Sequence, residues 1–193
     1  GVSLIDDQGT QLLEPQVAND LAGRFVARLV AESIPAGERI LFQAGNSAAL
    51  LSAILGCLLG GYVPVVISEK LTARERDELT ADVEPRLFVD DAVLASAFGL
   101  PAVPLDEWFK CRPMHFTSGT SGRPKGVWSG WLSADQAKAL LNEEQAAWGI
   151  GPSDRFLAVA PMSHSAPLRF PLVTLRSGGS VVIPASFAPD VVR

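Results

Sequence analysis

The sequence predicts an α/β fold in which helices cover both faces of a mainly parallel sheet. Strand-like and helix-like segments alternate along the chain at the spacing typical of right-handed crossovers. The segment "YVPVVIS" at 62–68 is β-branched and apolar on both faces, as strands of a covered parallel sheet are. With 193 residues, 48% of them hydrophobic, the chain can bury a substantial core.

The first 61 residues predict two helices and a strand. Between 17 and 34, apolar residues recur every four positions, which indicates an amphipathic helix. The next strand is "ERILFQAG", and it is followed by "NSAALLSAILGCLLGG". This second helix is apolar on nearly all sides, so we expect it to be buried, with Asn46 or Ser47 at its start and Gly60 and Gly61 at its end.

Two later helices are indicated by capping-box spacing. Thr72 and Glu75 predict a helix to about residue 83, and Ser133 and Gln136 predict another to about Trp148. Between and after them, three further strands are predicted, with the sequences "PRLFVDD", "DRFLAVAP" and "GGSVVIPAS".

Composition excludes several classes of protein. The 16 basic and 21 acidic residues give a net charge of −5, and the basic residues are scattered, so no broad nucleic-acid surface is expected. The apolar run 48–59 is shorter than the roughly 20 residues that span a bilayer. Two cysteines are too few for a disulfide framework, and Cys57 lies in an apolar run. Without a signal-peptide pattern at the start of the sequence, we expect a cytoplasmic protein.

One glycine- and hydroxyl-rich segment, "HFTSGTSGRPKGVWSG" at 115–130, stands out. Every residue from Thr117 to Gly122 is Gly, Ser or Thr, and Lys125 follows. Such a backbone can turn its N–H groups toward an anion, and the lysine adds a positive charge. No hydroxyl follows Lys125, so the Mg²⁺ ligand of a Walker loop is missing. A phosphate-binding loop, a surface linker and a tight structural turn all remain possible on these grounds.

The stretch "FTSGTSGRPKGV" closely resembles the signature loop of the adenylate-forming superfamily, which includes acyl-CoA and aryl-CoA synthetases. It fits the pattern [Y/F]-T-S-G-[S/T]-[T/S]-G-x-P-K-G at every defined position. The resemblance extends from about Glu38 to Arg193. It implies the N-terminal subdomain of the acyl-CoA synthetase-like fold, and an AMP-forming carboxylate ligase that uses ATP and Mg²⁺, with coenzyme A as the acyl acceptor.

The resemblance also implies roles for individual residues. The β- and γ-phosphates of ATP would contact Thr117, Ser118, Gly119, Thr120, Ser121, Gly122 and Lys125. His164, in "PMSHSAP", falls where the family often has a histidine or aromatic residue beside the substrate carboxylate, although a lone histidine is more often a packed or capping residue. His115 is expected to be structural, on a strand, and no metal-ligand spacing connects the histidines and cysteines.

The sequence departs from the family pattern in two ways. After the loop it has "KGVWSGWLS" where most members place a histidine. Trp128 and Trp131 could be core residues or partner contacts, and the core interpretation is preferred. The family's adenine and Mg²⁺ loop, ribose-binding aspartate and C-terminal lysine do not occur before Arg193. Residues 1–193 are therefore interpreted as a partial N-terminal AMP-binding domain, with no confident catalytic residue and no activity expected of it alone.

Two alternatives from other classes stay open. One is a non-catalytic nucleotide-binding or regulatory module that keeps the loop without the catalysis. The other is a structural fragment in which the Gly/Ser/Thr run is a linker.

Overall fold

Short strands and longer helices alternate through most of the chain. The computed structural model describes residues 2–6, 9–117 and 125–185. In chain order, the elements of this described part are β1 (Ser3–Leu4), β2 (Gln11–Leu13), α1 (Pro15–Ala31), β3 (Arg39–Gln43), α2 (Ala48–Gly60), β4 (Val63–Val66), α3 (Ala73–Val83), β5 (Leu87–Asp90), α4 (Asp91–Ser96), β6 (His115–Thr117), β7 (Lys125–Val127), α5 (Ala134–Trp148), β8 (Arg155–Leu157), α6 (Ser165–Arg176) and β9 (Ser180–Ile183).

The described strands form a parallel sheet, a mixed sheet and a hairpin. The parallel sheet has the order β4-β3-β5, and the mixed sheet has the order β1-β2-β9-β8, in which only β8 and β9 run parallel. Strands β6 and β7 pair antiparallel. The predicted α/β class is confirmed, and the strands at 3–13, which the sequence patterns do not predict, add the antiparallel pairs of the mixed sheet.

Helices cover both faces of the parallel sheet, as predicted. Ile40 and Phe42 of β3 point into the larger core, which α1 and α2 share. Leu41, between them, packs with Leu79 and Val83 of α3 on the opposite face. Successive side chains of a strand point to opposite faces, so β3 needs apolar residues at all three positions.

Helices α1 and α2 pack so closely that one position must be glycine. A Cβ atom added to Gly56 would lie 2.6 Å from the carbonyl oxygen of Ala22 in α1. Nearby, the rings of Phe25 and Phe42 are 5.8 Å apart, joining α1 to the sheet. Helix α2 is buried along almost its whole length, which confirms the interpretation of its apolar sequence.

The predicted ends of α2, α3 and α5 are confirmed, whereas α1 begins two residues and ends three residues earlier than predicted. Ser47, rather than Asn46, opens α2, and its hydroxyl accepts from the backbone N–H of Leu50 at 3.1 Å. Gly61 closes the same helix with φ 84°, a left-handed conformation that glycine adopts without strain. Both predicted capping boxes, at the starts of α3 and α5, are present.

Helices α4 and α6 are not predicted by the sequence patterns. Helix α4 follows β5 directly, because Asp90 ends the strand and also accepts from the N–H of Val93 at 2.8 Å. Helix α6 contains Pro167 and Pro171, residues that normally argue against a helix interior. Its buried face nevertheless repeats at helical spacing, through Leu168, Leu172 and Leu175.

Both cysteines are free and fully buried, so the interpretation of Cys57 as a core residue is confirmed. Burial raises the pKa of Cys57 well above its ordinary value and that of Cys111 to about 12. Neither thiol is therefore suited to act as a nucleophile at neutral pH. In the described ranges, no helix has both the length and the apolar character needed to cross a membrane.

Candidate functional site

The β6–β7 hairpin flanks the glycine- and hydroxyl-rich loop. Its antiparallel register places Thr117 opposite Lys125 and His115 opposite Val127. The Thr117 hydroxyl donates to the Lys125 carbonyl at 3.5 Å, and both residues are exposed. The hairpin thus brings the first and last of the predicted phosphate-binding residues together. The others, Ser118, Gly119, Thr120, Ser121 and Gly122, lie outside the described residues.

The hairpin is anchored to the edge of the parallel sheet. Just before β6, the N–H of Met114 donates to the Pro64 carbonyl in β4 at 2.9 Å. Met114 also bridges to Val65 in parallel register. A Cβ atom on Gly126 would lie 2.2 Å from the Met114 side-chain methyl. Glycine at this position lets β7 lie close over Met114.

A second set of contacts ties the segment after the hairpin back to the segment before it. Cys111 and Trp131 form an antiparallel bridge. Arg112 donates its backbone N–H to the Gly130 carbonyl at 3.2 Å and accepts from the Trp128 indole N–H at 2.9 Å. Trp128 packs against the core as predicted. Trp131 is 51% exposed, and its ring lies edge-on to the Trp128 ring, with 5.3 Å between the ring centroids. The interpretation of Trp131 as a core residue is therefore wrong.

A large cleft in the described part of the chain lies where four strands end. It measures about 510 Å³ and is lined by residues that follow the carboxyl ends of β3, β4, β8 and β9. In α/β folds, ligands bind at this edge of the sheet. Its polar lining residues include Asn46, Glu69, Lys70 and Ser163.

Asn46 holds the wall of this cleft together. Its side-chain amide donates to the Ala160 carbonyl at 2.9 Å, and its oxygen accepts from the N–H of Met162 at 3.0 Å. The sequence suggests Asn46 as a possible helix cap, but its side chain instead fixes the segment that leads to His164. Its neighbour Ser163 has a buried hydroxyl without a hydrogen-bond partner in the described part of the chain.

His164, the predicted acid contact, is exposed at the N-cap of α6 and makes no side-chain cap bond. It is not among the residues that line the large cleft, although its neighbour Ser163 is. Burial is the main reason that the pKa of His115 is lowered, and the charges of Arg112 and then of His164 lower it further. His164 therefore influences the protonation of His115. The two histidines therefore interact electrostatically, and His115 lies on the strand that enters the loop.

Behind the two histidines lies an ionic cluster that the sequence patterns did not reveal. Glu144 of α5 is only 6% exposed. Its Oε1 accepts from Nε of Arg169 in α6 at 2.6 Å and lies 3.9 Å from Nη1 of Arg112. Arg169 also stacks over the Trp148 ring, 4.6 Å from its centroid. One signal in the sequence could have indicated this cluster. Glu144 lies seven residues after the buried Ala137, so it falls on the same buried stripe of α5.

Metal-ligating side chains do not gather in the described ranges. No three His, Cys, Asp or Glu residues among them come together as a possible metal site. The β6–β7 hairpin and the loop it flanks contain no acidic residue between 115 and 127. The two described residues that flank the loop, Thr117 and Lys125, therefore suit an anion rather than a cation.

Residues 110–192 match the family model described as AMP-binding enzyme. Over 207 residues, the chain is 28% identical to a feruloyl-CoA synthase from Amycolatopsis sp, an alignment that covers 95% of this chain and 41% of that protein. Over 201 residues, it is 26% identical to a 3-hydroxybenzoate–CoA ligase from Aromatoleum sp. (strain CIB), covering 84% of this chain and 37% of that protein. These matches agree with the resemblance of the loop sequence to the adenylate-forming superfamily.

Solved structures show the same fold. Apo MatB from Rhodopseudomonas palustris superposes with a TM-score of 0.76 and 23% identity, over 92% of this chain and 41% of that chain. MenE from Bacillus subtilis, in complex with ATP and magnesium ion, superposes with a TM-score of 0.70 and 20% identity, over 89% and 51%. The fold is therefore that of acyl-CoA synthetase-like N-terminal domains. The chain spans less than half the length of the two CoA ligases it matches in sequence.

Proposed function

We propose that residues 1–193 are a partial N-terminal AMP-binding domain of an ATP-dependent, AMP-forming carboxylate ligase. Such an enzyme joins the acid to the α-phosphate of ATP and releases pyrophosphate. The single observation behind this proposal is that the family's signature loop is flanked by a hairpin in which Thr117 and Lys125 lie opposite each other. The resemblance assigns both residues to the β- and γ-phosphates.

The hairpin's own residues would stabilise the leaving pyrophosphate. The exposed ammonium group of Lys125 can approach an anion, and the Thr117 hydroxyl lies on the facing strand. Donors that are already in place when charge develops lower the barrier without further reorganisation. The Met114 and Arg112 contacts hold both strands against the fold, so they would provide that preorganisation.

Magnesium would enter with the nucleotide. It neutralises phosphate charge in nucleotide reactions, and the described residues gather no side-chain cluster to bind it independently. The loop residues Ser118, Gly119, Thr120, Ser121 and Gly122 are proposed as further phosphate contacts on the strength of the motif alone.

The carboxylic acid would lie near His164, at the edge where the strands end. His164 is exposed and adjoins Ser163 of the large cleft. The feruloyl-CoA synthase and 3-hydroxybenzoate–CoA ligase support an acid as substrate and coenzyme A as acceptor. We place the reaction in the cytoplasm, because ATP and coenzyme A are intracellular substrates and both cysteines are free.

Pyrophosphate release by the full-length protein tests the proposal. The protein would be incubated with ATP, Mg²⁺, coenzyme A and a panel of aliphatic and aromatic carboxylic acids, and the products would be separated. We expect AMP and pyrophosphate to form only when a suitable acid is present. Formation of ADP and phosphate, or nucleotide cleavage that no acid stimulates, would contradict the proposal.

A further inference from the structure

A small second cavity lies between α5, α6 and the segment before β6. It measures about 50 Å³, and its apolar walls include Leu58, Leu140 and Leu172. A water-sized group needs roughly 10–15 Å³ by this kind of measure, so the space suits a substituent rather than a whole acid. Exposed Ser165, next to His164, also lines it. The lining of the cavity therefore includes an exposed residue beside the place where we position the acid.

Besides the buried Cys111 thiol, four ionisable side chains line this cavity: Arg112, His115, Glu144 and Arg169. Glu144 and Arg169 bind each other at 2.6 Å. The Arg112 guanidinium is 3.9 Å from Glu144 and makes no hydrogen bond to any described residue, so its N–H donors are available. The Nδ1 atom of His115 is buried and also lacks a partner in the described ranges. The partly exposed guanidinium of Arg112 and the buried Nδ1 atom of His115 thus border the same small space.

The chemistry of these groups selects a ligand. A cation would face two guanidinium groups, and an anionic group would face the Glu144 carboxylate across a cavity of only about 50 Å³. A hydroxyl group can accept from Arg112 and donate to Nδ1 of His115 at the same time. A buried polar atom without a partner is costly, and a hydroxyl would remove that cost at Nδ1 of His115.

We propose that this cavity is a specificity subsite for a hydroxyl substituent on the carboxylic acid, with Arg112 as donor and His115 as acceptor. The inference rests on the proposed ligase function, and it names the class of acid as hydroxylated. Glu144 and Arg169 would act as positioning residues, because their ion pair fixes the wall between α5 and α6 and keeps the Arg112 charge balanced.

The test compares matched acids in the full-length protein. The kcat/KM for acid-dependent pyrophosphate release would be measured for benzoate against meta- and para-hydroxybenzoate, and for butyrate against hydroxybutyrate. We expect at least one hydroxylated acid to be preferred by about tenfold or more, because a site built to bind a hydroxyl discriminates against acids that lack it. Isophthalate, which places a second carboxylate at the meta position, probes the anionic alternative.

Two substitutions at one position separate recognition from structure. His115→Leu removes the acceptor, so kcat/KM should fall more for the hydroxylated acid than for the unsubstituted acid, and the preference should fall to about onefold. His115→Asn keeps an acceptor near the Nδ1 position and should restore part of the preference.

Three outcomes would overturn the inference. They are equal rates for both members of every pair, a preference for isophthalate over the hydroxylated acid, and a preference in His115→Leu as strong as in the wild type, whether or not both rates fall. Absence of pyrophosphate release with every acid would instead overturn the proposed function, and the inference with it.

Discussion

Thr117 and Lys125 lie opposite each other at the loop end of the β6–β7 hairpin, and the Thr117 hydroxyl donates to the Lys125 carbonyl at 3.5 Å. This pairing fixes where the seven intervening residues leave and re-enter the described fold. It also directs one fixed positive charge to the same end of the hairpin. The proposed role of Lys125 as a phosphate contact depends on that placement.

We expect Lys125→Ala in the full-length protein to lower kcat/KM for ATP by about 10²-fold, the usual effect of losing one preorganised contact to a developing anion. Lys138→Ala is the matched control, because Lys138 is exposed on α5, away from the hairpin. Steady-state pyrophosphate release measures both. Equal effects of the two substitutions would show that general charge, rather than position, is responsible.

Gly56 tests the packing of α1 on α2. Alanine in a helix normally stabilises it by about 1 kcal/mol relative to glycine. Here the added methyl group would lie 2.6 Å from the backbone oxygen of Ala22, which cannot rotate away. We therefore expect Gly56→Ala to lower the free energy of unfolding by about 1–3 kcal/mol, the usual cost of overpacking.

Urea unfolding measures this change, and Gly99→Ala is the control. Gly99 is exposed and an added Cβ would meet nothing within 4 Å, so its substitution should change stability by less than about 0.5 kcal/mol. A Gly56→Ala protein as stable as the wild type would show that the two helices can separate without cost.

Local signals in the sequence predicted much of the fold. Thr72 with Glu75 and Ser133 with Gln136 fix the starts of α3 and α5 through contacts within one helical turn. Long-range contacts were not predictable in this way. The short strands β1 and β2 depend on the pairing of β2 with β9, which lies about 170 residues later in the chain.

The candidate site was predictable to a similar degree. The motif located Thr117 and Lys125, and the structure places them together. Sequence spacing could not show that Arg112, Glu144 and Arg169 meet, because three separate segments supply them. Nor could it show Asn46 bound to the Ala160–Met162 segment, since that contact crosses more than 110 residues.

Glu144 tests the ionic cluster. Glu144→Gln removes the buried negative charge but keeps nearly the same shape, leaving Arg112 and Arg169 without their carboxylate. Breaking a buried ion pair costs about 3–5 kcal/mol. Both arginine side chains are partly exposed, 29% and 38%, so we expect a loss of about 3 kcal/mol or less in the free energy of unfolding.

The adjacent Glu143 provides the control for this change. It is exposed on the same helix, so Glu143→Gln should alter stability by no more than about 0.5 kcal/mol. Chemical denaturation of the two variants and the wild type gives the comparison. If the two variants had the same free energy of unfolding, the ionic cluster would contribute no net stability.

His115 predicts how stability depends on pH. Burial is the main reason that its pKa lies below the ordinary value of 6.5, and the charges of Arg112 and His164 lower it further. Glu144 and Arg169 line the same cavity. The unfolded chain therefore binds a proton more readily than the folded chain does.

The sign of the effect follows from that difference. The contribution of His115 is complete above about pH 6.5, and it is lost as the pH falls from there toward and through the lower pKa of the folded state. We expect the wild type to lose more stability than His115→Leu between pH 7.5 and pH 5.5, measured as urea midpoints at about these two values. His164→Gln, which retains His115 and its burial, should still show most of the wild-type loss. A His115→Leu protein with the same acid-dependent loss as the wild type would assign the effect to other groups.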